Sequence, residues 1–199
     1  MKEVIASRFT PQRKAIGVND KFGNRGIKNQ QGTTRIIYDT LPCDGRTEFR
    51  FFEGSAQRNF PLSNTGSDGN KLGVGNTLVV ERAYLSIITT DAETKEVTTV
   101  ASLSLTTTDP AITLSEFGFM VANSEVIKTV PILSWFPEFN KVAENELNNN
   151  FEFDTQIVIP PLLEFVATLR LAQAFSKSNT LLRLTIEGTG AIIAPRTTF

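Results

Sequence analysis

The chain has 199 residues, 40% hydrophobic and 21% charged, with a formal net charge of −1, a single cysteine and no histidine. That size supports one all-β domain or at most two small ones, with a core that needs no covalent staples. The missing histidine removes the commonest general base, the catalytic triad and the usual zinc and iron ligand. Cys43 alone can form no internal disulfide.

Residues 1–33 show no sustained period. Gly17, Gly23, Gly26, Gly32, Pro11 and the polar run Asn29-Gln30-Gln31 predict an extended arm. Ile5, Phe9, Ile16, Phe22 and Ile27 are spaced like single anchors laid on a neighbouring surface. The first 35 residues hold eight Lys or Arg against Glu3 and Asp20, a local charge of +6 that leaves −7 for the remainder. A basic end on an acidic chain fits either a solvated tail or an arm facing a polyanion or an acidic partner. The N-terminal segment lacks a hydrophobic signal core, so export by that route is not expected.

Thr34–Asp39 is the first predicted strand, closed by Pro42 and the Asp44-Gly45 turn. Thr47–Glu53 is the second, with Phe49 and Phe51 opposite Glu48 and Arg50. Gly54–Gly75 is a long Gly/Asn/Ser connection whose middle Phe60-Pro61-Leu62 is expected to hold against the body; loops of this length in compact domains are usually functional or mobile. Thr77–Thr90 and Glu96–Thr108 predict a long hairpin across the polar turn 91–95, with a bend or bulge in so long a strand. Leu114–Val121 and Val126–Leu133 read as strands, with a short helix over Glu116–Val121 as the competing reading. Trp135, Phe136 and Phe139 form an aromatic group before Asn140–Leu147, where one or two helical turns are expected.

Phe151–Leu171 (FEFDTQIVIPPLLEFVATLRL) carries the clearest pattern. Apolar residues hold the odd positions on both sides of Pro160-Pro161 and mostly polar ones the even positions, so it reads as two half-buried strands joined at a stiff corner. Thr180–Glu187 alternates again, with Leu182, Leu184 and Ile186 inward, and Ala191–Ala194 extends it to Pro195. Eight to ten strands and almost no helix predict a two-sheet antiparallel sandwich or a barrel, with Greek-key connections of the jelly-roll kind.

Chemistry is sparse in this pattern. Cys43 has no histidine to make it a thiolate and is expected to be a small half-buried residue. Glu152 and Asp154 share a strand face, but any solvated strand looks alike. Gly73-Val74-Gly75 lacks the third glycine and the helix of a dinucleotide site. Asn64–Asn70 offers oxygen ligands, yet Gly75 stands where a calcium loop needs Glu. No run approaches the ~20 apolar residues of a membrane-spanning helix. No cofactor, metal or catalytic residue is expected.

In layout the chain resembles a single jelly-roll capsid protein of a small icosahedral virus or bacteriophage. The likeness rests on the basic, glycine-containing arm at 1–33, a sandwich at 34–199, long Asn/Gly/Ser loops such as 54–76, and histidine-free strands rich in Thr, Val and Phe. It implies self-assembly without catalysis, in a virion made in the host cytoplasm, with copies of itself and other virion proteins as partners. Arg8, Arg13, Lys14, Lys21, Arg25 and Lys28 would then touch genomic nucleic acid or a neighbouring subunit, and Trp135, Phe136, Phe139 and Phe199 a subunit interface. The arm is less basic than in many genome-packing shells. The alternatives are a carbohydrate-binding β-sandwich module with Trp135 as its platform, and a sandwich hydrolase using Glu152 and Asp154.

Overall fold

The computed structural model describes residues 15, 16, 18, 30–66, 69–94, 96–102, 110–135, 150–175 and 178–193. Nine strands carry most of them: β1 (Gln30–Pro42), β2 (Glu48–Phe51), β3 (Thr77–Thr90), β4 (Val97–Ser102), β5 (Glu116–Val121), β6 (Ser124–Pro131), β7 (Asn150–Ile159), β8 (Phe165–Arg170) and β9 (Thr180–Ile193). Among the described residues between them lie short helical turns, at Ser55–Gln57, Pro110–Thr113 and Ile132–Trp135. Among the described residues no helix is long and apolar enough to cross a membrane.

The strands form two antiparallel sheets. One runs β1-β9-β3-β4, and the other β2-β8-β5-β6. Strand β9 pairs along one side of β3, so β7 and β4 share the opposite side. There β7 takes Leu78–Tyr84 and β4 takes Ser86–Thr90. With the β4 excursion set aside, the pairing is nested. β1 pairs with β9, β2 with β8, β3 with β7, and β5 with β6 at the innermost turn. The chain is thus an antiparallel double strand that has been bent over so that β9 also meets β3 and β8 also meets β5.

Alternation supplies the core. The first sheet contributes aliphatic side chains, among them Ile37, Leu78, Val80, Leu85, Ile159, Leu182, Leu184 and Ile186. The second contributes Phe49, Phe51, Phe117, Phe119 and Phe165. Phe52 and Phe119 both tilt against Phe165, with ring centroids 5.1 and 6.4 Å apart. Burying such rings stabilises by roughly 1.5–3 kcal/mol each relative to exposure. A smaller apolar cluster gathers Ala15, Val79 and Ala191 with Ile16 and Val158 beside them.

The nested pairing also sorts the connections. Those after β2, β5 and β7 meet at one end of the sandwich: Ala122 N–H donates to Glu164 O (2.7 Å), Leu162 N–H to Leu72 O (2.8 Å) and Phe165 N–H to Asn70 O (2.9 Å). Those after β1, β3 and β8 meet at the other, where Cys43 and Thr90 N–H donate to Thr180 and Asn179 carbonyls (both 2.9 Å).

Most strand expectations hold, and the differences have physical causes. β1 begins at Gln30, inside the expected arm, because β9 pairs it from Ile193 onward. Ala15, Ile16 and Val18 have helical, not extended, backbone, which lets Ala15 sink completely into the second cluster. The rest of the arm up to residue 29 lies outside the described residues, as do 136–149, where helical turns were expected. Glu116–Val121 is strand, not helix. The expected bend in β3 appears as register shifts between Val80 and Arg82 and between Thr89 and Thr90. At the first shift Gly188 passes so close that a Cβ there would stand 1.9 Å from the Val79 carbonyl oxygen, so only glycine fits. The turn 91–94 is held by Asp91 Oδ1, which accepts from the Glu93 and Thr94 N–H groups, both at 2.8 Å.

Candidate interaction surface

The connection from β2 to β3 is built around one buried acid. Asp39 lies on β1 at the same parity as Ile37 and Leu41, so its side chain points inward and is fully buried. A carboxylate there needs partners. Its Oδ2 accepts from the Phe52 N–H (2.6 Å) and Arg58 Nη2 (2.5 Å), and its Oδ1 from Arg58 Nε (2.8 Å) and the Thr40 N–H (3.1 Å). Arg58 Nη2 also reaches the Glu53 carbonyl at 3.0 Å. These bonds hold Phe52 at φ 69, a conformation a bulky L-residue rarely keeps unaided.

Further along, Thr65 Oγ1 donates to Ser55 Oγ (2.9 Å), Ser55 Oγ donates to the Gly69 carbonyl (2.5 Å), and Ser63 and Thr65 hydroxyls share a 3.0 Å bond. Asn64 works as a false strand residue on the free side of β1. Its Oδ1 accepts from the Tyr38 N–H (2.8 Å) and its Nδ2 donates to the Ile36 carbonyl (2.7 Å). Asn64 is therefore occupied by β1 and is no free calcium ligand. From β9, Arg183 lies over the Tyr38 ring, 4.4 Å from its centroid, and donates to Thr40 Oγ1 (3.0 Å) and the Pro61 carbonyl (2.7 Å).

The polar bracing corrects the expected role of Phe60-Pro61-Leu62. The segment is held through its backbone, across a cis Phe60-Pro61 bond, while Phe60 is 84% exposed. Val74 and Leu162, at the end of the sandwich where β3 begins, are also exposed, at 67% and 52%. Gly73–Asn76 is a plain turn closed by Asn76 N–H to Gly73 O at 3.0 Å, with Gly75 at φ 77. The result is a fixed loop that leaves Phe60 facing solvent.

The solvent face of the β2-β8-β5-β6 sheet has two shallow clefts. One, of about 120 Å³, is lined by Glu48, Glu116, Glu125, Thr129, Thr168 and Arg170, and its register sets Glu48 and Glu116 on either side of Arg170. The other, of about 210 Å³, lies between Arg50, Asn70, Met120, Asn123 and Glu164. Both are smaller than the ~300–1,000 Å³ typical of small-molecule sites. Among the described residues no group of three or more Cys, Asp or Glu side chains is placed to hold a metal ion. Cys43 is buried; that burial, helped by the nearby Asp44 charge, pushes its thiol up to about 12.

Of the residues singled out from the sequence, Arg8, Arg13, Lys14, Lys21, Arg25, Lys28, Phe136, Phe139 and Phe199 lie outside the described residues. Trp135 closes the turn Ile132–Trp135, and its side chain lies outside them too, as do those of Glu152 and Asp154. Asp39, Arg58, Phe60 and Arg183 were missed. One signal was present: an acid at inward parity between Ile37 and Leu41.

No family model matches the chain, and no curated protein does.

Proposed function

We propose that this chain is a jelly-roll shell subunit, a virion structural protein that works by assembling with copies of itself. The observation that carries the reading is the nested pairing β1·β9, β2·β8, β3·β7, β5·β6. Eight strands folded as a doubled ribbon and rolled into two facing sheets is the jelly-roll arrangement, common among capsid domains. Fold alone does not decide function, and two further features lend support. The braced loop presents Phe60, an exposed aromatic ring, as an anchor that a subunit contact would bury. The opposite charges of residues 1–35 and the remainder would let one subunit attract another. Arg8, Arg13, Lys14, Lys21, Arg25 and Lys28 are the proposed contacts of that basic end, with a neighbouring subunit or nucleic acid. Trp135, Phe136, Phe139 and Phe199 are proposed interface residues.

The test is the size of the full chain in solution. Sedimentation velocity with negative-stain microscopy should show closed particles or defined oligomers, and Phe60→Asp should shift the distribution toward smaller species. A chain that stays monomeric at millimolar concentration and in low and high salt overturns the reading.

A further inference from the structure

Edge strands offer unpaired backbone groups, and proteins guard them with short length, charge, proline or cover. Among the described residues, four of the five sheet edges are guarded. β1 is overlaid by Ser63 and Asn64. β2 has four residues and shows Glu48 and Arg50 to solvent. β6 contains Glu125 and Lys128 and ends at Pro131, and β7 contains Glu152 and Asp154 and runs into Pro160-Pro161.

Among the described residues strand β4 has none of these. Its sequence VTTVAS is uncharged, and no charged residue, proline or glycine occurs from Val97 to Thr108. Among the described residues it pairs with β3 alone. Residues 96–100 are all exposed, Val97 at 54% and Val100 at 65%. These exposed side chains add nothing to the core of their own subunit, so β4 is held to it chiefly by its backbone pairing with β3.

We infer that β4 is an assembly edge, to which β4 of a second copy adds antiparallel about a local two-fold axis. The inference rests on the self-assembly reading and names one of its contacts. Two identical strands meet in this way isologously. With Thr99 on the axis, Thr98 faces Val100 of the partner subunit and Val97 faces Ala101 of the partner subunit. No like charges are opposed, and the neighbours are of the β-branched type that sheets favour. The pairing joins the β1-β9-β3-β4 sheets of two subunits into one.

The experiment uses the full chain, the exposed-site variant Val100→Lys, and Thr99→Cys. In the associated protein, amide hydrogen exchange at Val97–Ala101 should slow as concentration rises. Thr99→Cys should form a disulfide-linked pair on mild oxidation while buried Cys43 does not. Val100→Lys should weaken association about tenfold or more by setting two like charges diagonally across the seam on one face, each against an uncharged neighbour. An associated protein whose β4 amides exchange freely, whose Thr99→Cys stays uncrosslinked and whose Val100→Lys associates normally overturns the β4 contact and leaves self-assembly standing. Slowed exchange at another edge instead has the same consequence. A chain that never associates overturns both.

Discussion

Asp39 and Arg58 meet in a two-pronged ion pair, Nε to Oδ1 at 2.8 Å and Nη2 to Oδ2 at 2.5 Å, with the acid fully buried and the arginine side chain 20% exposed. The pair joins β1 to the loop after β2. Asp39→Ala leaves Arg58 and the Phe52 and Thr40 N–H groups without their acceptor. Removing one partner of such a pair costs about 3–5 kcal/mol. Chemical denaturation should show that loss for Asp39→Ala and a comparable one for Arg58→Ala. Denaturation midpoints equal to wild type in both would mean the loop is held by something else.

Arg183 acts at the other end of the same loop, by stacking on Tyr38 and donating to Pro61 O and Thr40 Oγ1. Lysine keeps the charge and loses the planar fork. Arg183→Lys should cost only about 1 kcal/mol overall, yet speed amide exchange across residues 59–64. Unchanged exchange there would remove Arg183 as the brace.

Gly188 faces a backbone atom, which cannot rotate away as a side chain could. Gly188→Ala should therefore cost at least the ~1–3 kcal/mol of ordinary overpacking, through loss of the β3–β9 register around Val79. Gly45, also a glycine, has open space where its Cβ would be, but its φ of 70 still strains an alanine. Thermal melts should show a large drop for Gly188→Ala and a smaller one for Gly45→Ala.

Strand positions were legible where one face meets the core. Phe165, Ala167 and Leu169, like Leu182, Leu184 and Ile186, are buried as their two-residue period requires. That β7 and β8 enter opposite sheets was not, because periodicity records a face and not a neighbour. Asp39 shows the limit at the site. Its inward parity was readable from Ile37 and Leu41, but its partner stands nineteen residues on, in a loop without a period. Phe60 misled because hydrophobicity does not reveal whether an apolar side chain is buried by its own chain. The unguarded character of β4 was present in its composition, but needed the pairing order before it could be called an edge.

Cys43 gives a pH prediction. Its thiol is raised from 9.0 to about 12 in the folded state, so the native protein holds that proton more tightly than the unfolded one. The stabilisation is present in full below pH 9 and is lost as pH rises from there through about 12. Cys43→Ala lacks this contribution, so the stability difference between wild type and variant should shift toward the variant across that window. At pH 8, iodoacetamide should label Cys43 only after denaturant is added; rapid labelling of the native protein would contradict the burial.

β9 pairs with β1 over its full thirteen residues and with β3 on its other side. Among the described residues it is also the last of the nine strands in chain order. Until it emerges, β1 and β3 have no strand between them, and the nascent polypeptide must wait with much of its apolar surface uncovered. Closure of the first sheet is therefore tied to the emergence of β9, whose two pairings are both long-range.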